Sequence, residues 1–132
     1  MVSEAQKEAL IQAACQVRAQ AYAPYSDYPV GAAILTASGQ IYTGVNVENA
    51  VYGLGICAER AAVFKAVTAG ERQILAVAVC TKNAGSPCGA CRQVLSEFAG
   101  DVPVWMVDQD GNVRESTLGA LIPDHFGAEH LV

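Results

Sequence analysis

Pro87-Cys88-Gly89-Ala90-Cys91-Arg92-Gln93 decides how this chain is read, together with Cys57-Ala58-Glu59-Arg60 upstream of it. Two residues separate Cys88 from Cys91, which lets both sulfurs face one metal ion from a tight turn or the first turn of a helix. Alone, such a pair is a weak signal that also fits a redox disulfide or a chance pair. A third thiol, Cys57, is far enough away to come from a separate element. Three protein ligands leave the fourth tetrahedral position of zinc open to water, as in catalytic rather than closed structural sites. Bound zinc lowers the pKa of that water from about 16 to about 7.

Glu59 then acquires a purpose. It stands two residues after a ligand, at the expected start of a helix, within reach of the water but outside the ligand set. A carboxylate there can take a proton and return it to substrate. Three thiolates around one Zn²⁺ leave a net charge of about −1, which weakens the metal as a Lewis acid. Two offsets are available. Cys57 and the Cys88/Cys91 pair both read as helix N-termini, where free N–H groups and the dipole favour anions. Arg60 and Arg92 each adjoin a ligand and can donate hydrogen bonds to sulfur. A redox pair would need neither Cys57 nor Glu59, and a zinc ribbon would want a second C-x-x-C, which the sequence lacks.

The pattern resembles the zinc nucleobase deaminases, whose signature is His or Cys, then x-Glu, then Pro-Cys-x-x-Cys. Within that group it is similar to the small homotetrameric cytidine deaminases of free nucleosides, from Tyr22 to Phe126. The resemblance implies one zinc per subunit held by Cys57, Cys88 and Cys91, with hydroxide attacking C4 of the base and Glu59 moving the protons. It also implies a homotetramer with shared active sites, cytidine and 2′-deoxycytidine as substrates, and a role in pyrimidine salvage. The backbone around Ala58 and a rim formed by Tyr28 and Phe126 would fix the base, the Phe126 ring reaching a neighbouring subunit's site. Tyr28 stands where that family commonly has phenylalanine; the tyrosine keeps the aromatic face and adds a hydroxyl.

The 132 residues suit a single domain, 1–132, and 52% of them are apolar against 16% charged. That balance calls for a large core, or a core plus a buried subunit interface. A net charge of −5 argues against a nucleic-acid partner, since polynucleotide binders carry a basic face. A neutral small molecule fits better. No apolar run is long enough to span a membrane and no secretory pattern opens the chain. Five cysteines, an odd number, then lead to the expectation of reduced thiols and a cytoplasmic location.

The remaining chain predicts an α/β fold, a three-layer α/β/α sandwich around a five-stranded mixed sheet with its last two strands antiparallel. Ser3 and Gln6 form a capping box, and Leu10, Ala14, Val17 and Ala21 recur at helical spacing. Cys15 lies on the apolar side and reads as packing. After an aromatic loop, 22–29, residues 30–35 and 40–46 make a hairpin across Ser38-Gly39. Asn46 and Glu48 point the same way in extended chain. They suit either a polar strand end or a grip on a sugar hydroxyl; the resemblance implies that this segment holds the ribose. Residues 57–69 form a helix, 74–80 a central strand with Cys80 in the core, 87–100 a helix and 102–107 a strand. A turn at 108–111 leads to a short strand, 113–115, and a last helix, 118–121, capped by Thr117. His125 and His130 read as surface residues.

Overall fold

The computed structural model describes residues 1–131. Helix α1 (Glu4–Val17) starts at the expected capping box: Ser3 Oγ accepts from Gln6 N, and Gln6 Oε1 accepts from Ser3 N. A 3-10 turn, Arg18–Gln20, carries the chain out of the helix towards Pro24. Strands β1 (Gly31–Thr36) and β2 (Ile41–Val45) form the hairpin, β1 beginning one residue later than the sequence suggests. Helix α2 (Ala58–Thr68) follows a loop, then β3 (Ile74–Cys80), α3 (Gly89–Phe98), β4 (Pro103–Val107), β5 (Val113–Thr117) and α4 (Leu118–Leu121).

The sheet order is β2-β1-β3-β4-β5. Strands β3 and β4 pair in parallel through the α3 crossover, and the other three pairs are antiparallel. The expected five-stranded mixed sheet with an antiparallel final pair is therefore present. Strands β1 and β3 are buried on two faces, so they are nearly continuous in apolar residues.

Side chains of the inner strands alternate between two cores. Ile34, Val77, Val79, Val104 and Met106 meet Ala62, Val63 and Ala66 of α2, Leu95 of α3 and Leu118 of α4. Ala33, Leu35, Ala76, Ala78 and Cys80 meet Leu10 and Ala14 of α1 on the other side, with Trp105 and Val107. Each fully buried leucine or valine contributes about 1.5–3 kcal/mol. Alanines fill the α1 side of β3 and so let that helix lie close.

Gly44 brings α2 down onto the sheet. A Cβ at this position would lie 2.5 Å from both Ala58 O and Ala62 N. Only glycine lets the first turn of α2 rest directly on β2, and that turn carries Glu59. The N-termini of α2 and α3 thereby converge beside the carboxyl end of β3, where chemistry gathers in open α/β sheets.

Candidate active site and metal centre

Cys57 and Cys88 occupy equivalent positions, each the residue immediately before a helix. Both have extended backbone (φ −78°, ψ 152° and φ −66°, ψ 166°), and neither side chain caps its helix. Their carbonyls accept the first helical hydrogen bonds, from Ala61 N and Arg92 N, each at 3.0 Å. Cys91 lies on the first turn of α3 and is fully buried. The geometry follows from the sequence: C-x-x-C places one thiol at the helix cap and the other one turn inside.

The three sulfurs face each other. Cys57 Sγ and Cys88 Sγ are 3.9 Å apart, Cys88 Sγ and Cys91 Sγ 3.5 Å, and all three lie within 4.8 Å of one another. Tetrahedral zinc with Zn–S bonds of about 2.3 Å wants sulfurs about 3.8 Å apart. The donor set fits zinc in number, in softness and in spacing. Among the described residues it is the one cluster of three or more Cys, His, Asp or Glu able to hold an ion.

Without metal the cluster shares its protons unevenly. A hydrogen bond from the Cys91 thiol, with Arg60 beside it, holds the Cys57 thiol down at about 5. Cys91, donating to Cys57 and buried, is pushed far above its usual range. Arg60 Nη2 donates to Cys57 Sγ at 3.2 Å, as expected for charge compensation.

Arg92 departs from that expectation. Its Nε donates to Pro87 O at 2.7 Å, Nη1 to Leu121 O at 2.7 Å and Nη2 to Ser86 Oγ at 3.0 Å. All three arms go to oxygen, because the side chain folds back across its own turn rather than towards the sulfurs. Arg92 thus holds the turn that presents Cys88 and ties it to α4. We expect Arg92→Ala to weaken zinc retention about 10–100-fold in a chelator competition, the usual cost of losing a group that orients ligands. Unchanged zinc affinity would show that the turn needs no clamp.

Glu59 is buried, 5% exposed, at the floor of a cleft of about 270 Å³. Burial pushes its carboxyl up to about 7; the Cys57 charge adds to this, while a backbone N–H and Arg60 oppose it. Tyr28, Ala58, Cys57, Cys88, Thr81 and Ser86 line the same cleft. An adjoining cavity of about 450 Å³ shares Ser26, Asn46, Glu48 and Cys57 with it and extends to Tyr25, Tyr52 and Arg60.

Asn46 and Glu48 stand where the two cavities meet, and both brace the aromatic loop. Asn46 Oδ1 accepts from Val30 N and its Nδ2 donates to Tyr28 O, each at 2.9 Å. Glu48 Oε1 accepts from Tyr25 N at 2.9 Å and Ser26 N at 3.0 Å, and Oε2 accepts from Ser26 Oγ. The added hydroxyl of Tyr28 donates to Asn83 Oδ1 at 2.7 Å, which fixes the ring in the cleft wall. Ser26, Thr81 and Ser86 escaped sequence reasoning. They are loop residues without periodicity, and only the turn-forming composition of 22–29 hinted at the first.

Phe126 lies outside this cleft. Its ring is 56% exposed and stacks on His130, with centroids 5.3 Å apart. Gln93, on the first turns of α3, donates to Phe126 O at 2.8 Å and anchors the tail. His130 Nδ1 accepts from Gly127 N at 3.0 Å and plays no part in the sulfur cluster.

The family model described as the cytidine and deoxycytidylate deaminase zinc-binding region matches residues 4–106. The chain belongs to this deaminase family. A cytidine deaminase from Sporosarcina psychrophila is 48% identical over 127 residues, covering 94% of this chain and 93% of the relative. The crystal structure of cytidine deaminase from Burkholderia pseudomallei is 48% identical and superposes with a TM-score of 0.85, over 90% of this chain and 98% of that one. That from Mycobacterium tuberculosis gives 0.79 at 41% identity, over 92% and 97%. Family membership accounts for the three sulfurs as a zinc site. No helix among the described residues is long and apolar enough to cross a membrane.

Proposed function

We propose that the chain, as one deaminase domain over residues 1–132, hydrolyses cytidine and 2′-deoxycytidine to uridine and 2′-deoxyuridine with release of ammonia. The observation that carries this reading is Glu59, a buried carboxyl beside three converged sulfurs at the floor of a nucleoside-sized cleft. Cys57, Cys88 and Cys91 would hold the zinc, which when bound supplies an acidified water at its open corner. Glu59 takes a proton from the attacking water and delivers it to N3 of the base. It then carries a proton to the 4-amino nitrogen as the C4–N bond breaks and C4 keeps the oxygen. A buried carboxyl within reach of both the attacking water and the base is suited to both directions of transfer.

Asn46 and Glu48 hold the ribose. Asn46 Nδ2 keeps a second N–H, and Glu48 Oε2 keeps lone pairs beyond its bond to Ser26. Arg60 draws charge from Cys57, and Arg92 supports the ligand turn. The Ala58 backbone and the Tyr28 ring flank the base. Exposed Phe126 supports assembly into a homotetramer, in which Phe126 of the partner subunit covers the base. The unpaired thiols suit a reducing compartment, the cytoplasm.

The test is ammonia and uridine release from cytidine, 2′-deoxycytidine and free cytosine. Stoichiometric products from both nucleosides are expected; none from any substrate would leave a zinc-stabilised binding module instead. Glu48→Gln should raise KM for cytidine about 10-fold or more, since a hydrogen bond to a charged group contributes about 1.5–3 kcal/mol. An unchanged KM would return Glu48 to a purely bracing role.

A further inference from the structure

Two of the five cysteines take no part in the metal cluster, and the fold brings them together. Cys15 Sγ, on α1, lies 2.7 Å from Cys80 Sγ, at the end of β3, and both are free thiols. They are 65 residues apart in sequence, so no spacing announces them. They sit on the α1 side of the sheet, packed with Leu10, Ala14 and Ala78, whereas the metal ligands come from α2 and α3 on the other side.

We propose that Cys15 and Cys80 form a peroxide-responsive dithiol that closes into a disulfide and staples α1 to β3. A disulfide needs sulfurs about 2.05 Å apart, so closure requires an approach of only about 0.6–0.7 Å. The two thiols also differ in access, which sets the order of events. Cys15 is half-buried and reachable from solvent, while Cys80 is 2% exposed. A hydroperoxide therefore meets Cys15 first. Its sulfur takes one oxygen, the O–O bond breaks, and hydrogen peroxide leaves as water, giving a sulfenic acid. The Cys80 sulfur then attacks the Cys15 sulfur, the S–O bond breaks, and the hydroxyl departs with the Cys80 proton as a second water. Two thiols are oxidised and one peroxide is reduced.

Burial supports the division of roles. It pushes the Cys80 thiol up to about 12, with neighbouring Cys15 adding to the effect, so Cys80 stays protonated and is not the sulfur oxidised first; its place as resolving partner rests on its 2.7 Å contact with Cys15. Cys80 also immediately precedes Thr81, whose hydroxyl accepts from Gly85 N at 2.9 Å and which lines the cleft. The staple thus fixes the strand end from which the loop to Cys88 departs.

The experiment uses the zinc-loaded full chain treated with hydrogen peroxide, then alkylated, digested and mapped by mass spectrometry, with zinc measured in parallel. The expected result is a Cys15–Cys80 cross-linked peptide with zinc retained. The thermal midpoint should rise by about 5 °C or more and return on adding dithiothreitol, because the bond closes a long loop. Cys15→Ser should fold and bind zinc as before but show neither cross-link nor shift. Three outcomes overturn the proposal: zinc release with Cys57, Cys88 and Cys91 oxidised while Cys15 and Cys80 stay alkylatable; sulfinic acid accumulating on Cys15 without a cross-link; or no oxidation of either thiol.

Discussion

Glu59→Gln is expected to keep a full complement of zinc and the native fold while its kcat for cytidine falls about 10³-fold. The amide matches the carboxyl in shape and leaves the three sulfurs untouched, but it cannot accept and return a proton. Positioned proton transfer of this kind contributes about 10²–10⁴ in rate. Steady-state kinetics beside a zinc assay check this, and a variant that turns over normally would remove Glu59 from the reaction. The same substitution carries a stability signature in metal-free protein. Burial moves the Glu59 carboxyl from 4.5 to about 7, so the folded state binds its proton more tightly than the unfolded state does. The stability this confers is fully present below pH 4.5 and is lost as pH rises through 7. A tenfold difference in proton affinity between the two states is worth about 1.4 kcal/mol. Metal-free Glu59→Gln should therefore gain on the parent chain by about 3 kcal/mol at pH 8 and by almost nothing at pH 4. Urea titrations at the two pH values measure the gap, and a gap independent of pH would mean that the buried carboxyl is not held protonated.

Removing the metal should have the second large effect. Treatment with a strong chelator is expected to bring deamination to background and to lower the thermal midpoint by about 10 °C, both restored by zinc. An ion present at about 1,000 times its dissociation constant stabilises the folded state by about 4 kcal/mol. For a domain of this size each kcal/mol moves the midpoint by about 3–4 °C, which makes a shift of about 10 °C or more. Cys91→Ala should reproduce both losses without rescue, because Cys91 is the fully buried corner of the cluster and the one farthest from any substitute ligand in solution. Full activity in a preparation from which elemental analysis finds the zinc gone would refute the metal's role.

The fold was legible where one side chain dictates one outcome. Ser3 with Gln6 fixed the start of α1, the apolar run 74–80 marked the central strand to the residue, and Thr117 marked α4. Boundaries slipped where two rules compete. Cys57 and Cys88 look like helical residues in sequence but stand just outside their helices, with extended backbone. The metal cluster was legible because its spacing is local on the C-x-x-C side and its carboxylate neighbour is two residues from the third thiol. Arg92 was half legible: adjacency to Cys91 suggested a partner for sulfur, but a side chain that long is placed by the acceptors it finds, and Pro87 O and Leu121 O lie nearer its reach. The Cys15–Cys80 contact was invisible, since it depends on α1 lying across an alanine-rich strand rather than on any distance along the chain. Phe126 remains the residue whose place in a single chain explains least, because its ring faces outward.

The two helices that carry the sulfurs begin without the hydroxyl or carboxylate that usually satisfies a helix's first amides, a substitution worth about 1 kcal/mol at each end. Folding and chemistry compete for the same two positions, and chemistry holds both. A sequence free of that obligation, with serine or aspartate at 57 and 88, would make a sturdier scaffold and an inert one. The robustness this architecture forgoes is therefore concentrated at two residues, and any effort to harden the protein has to look elsewhere along the chain.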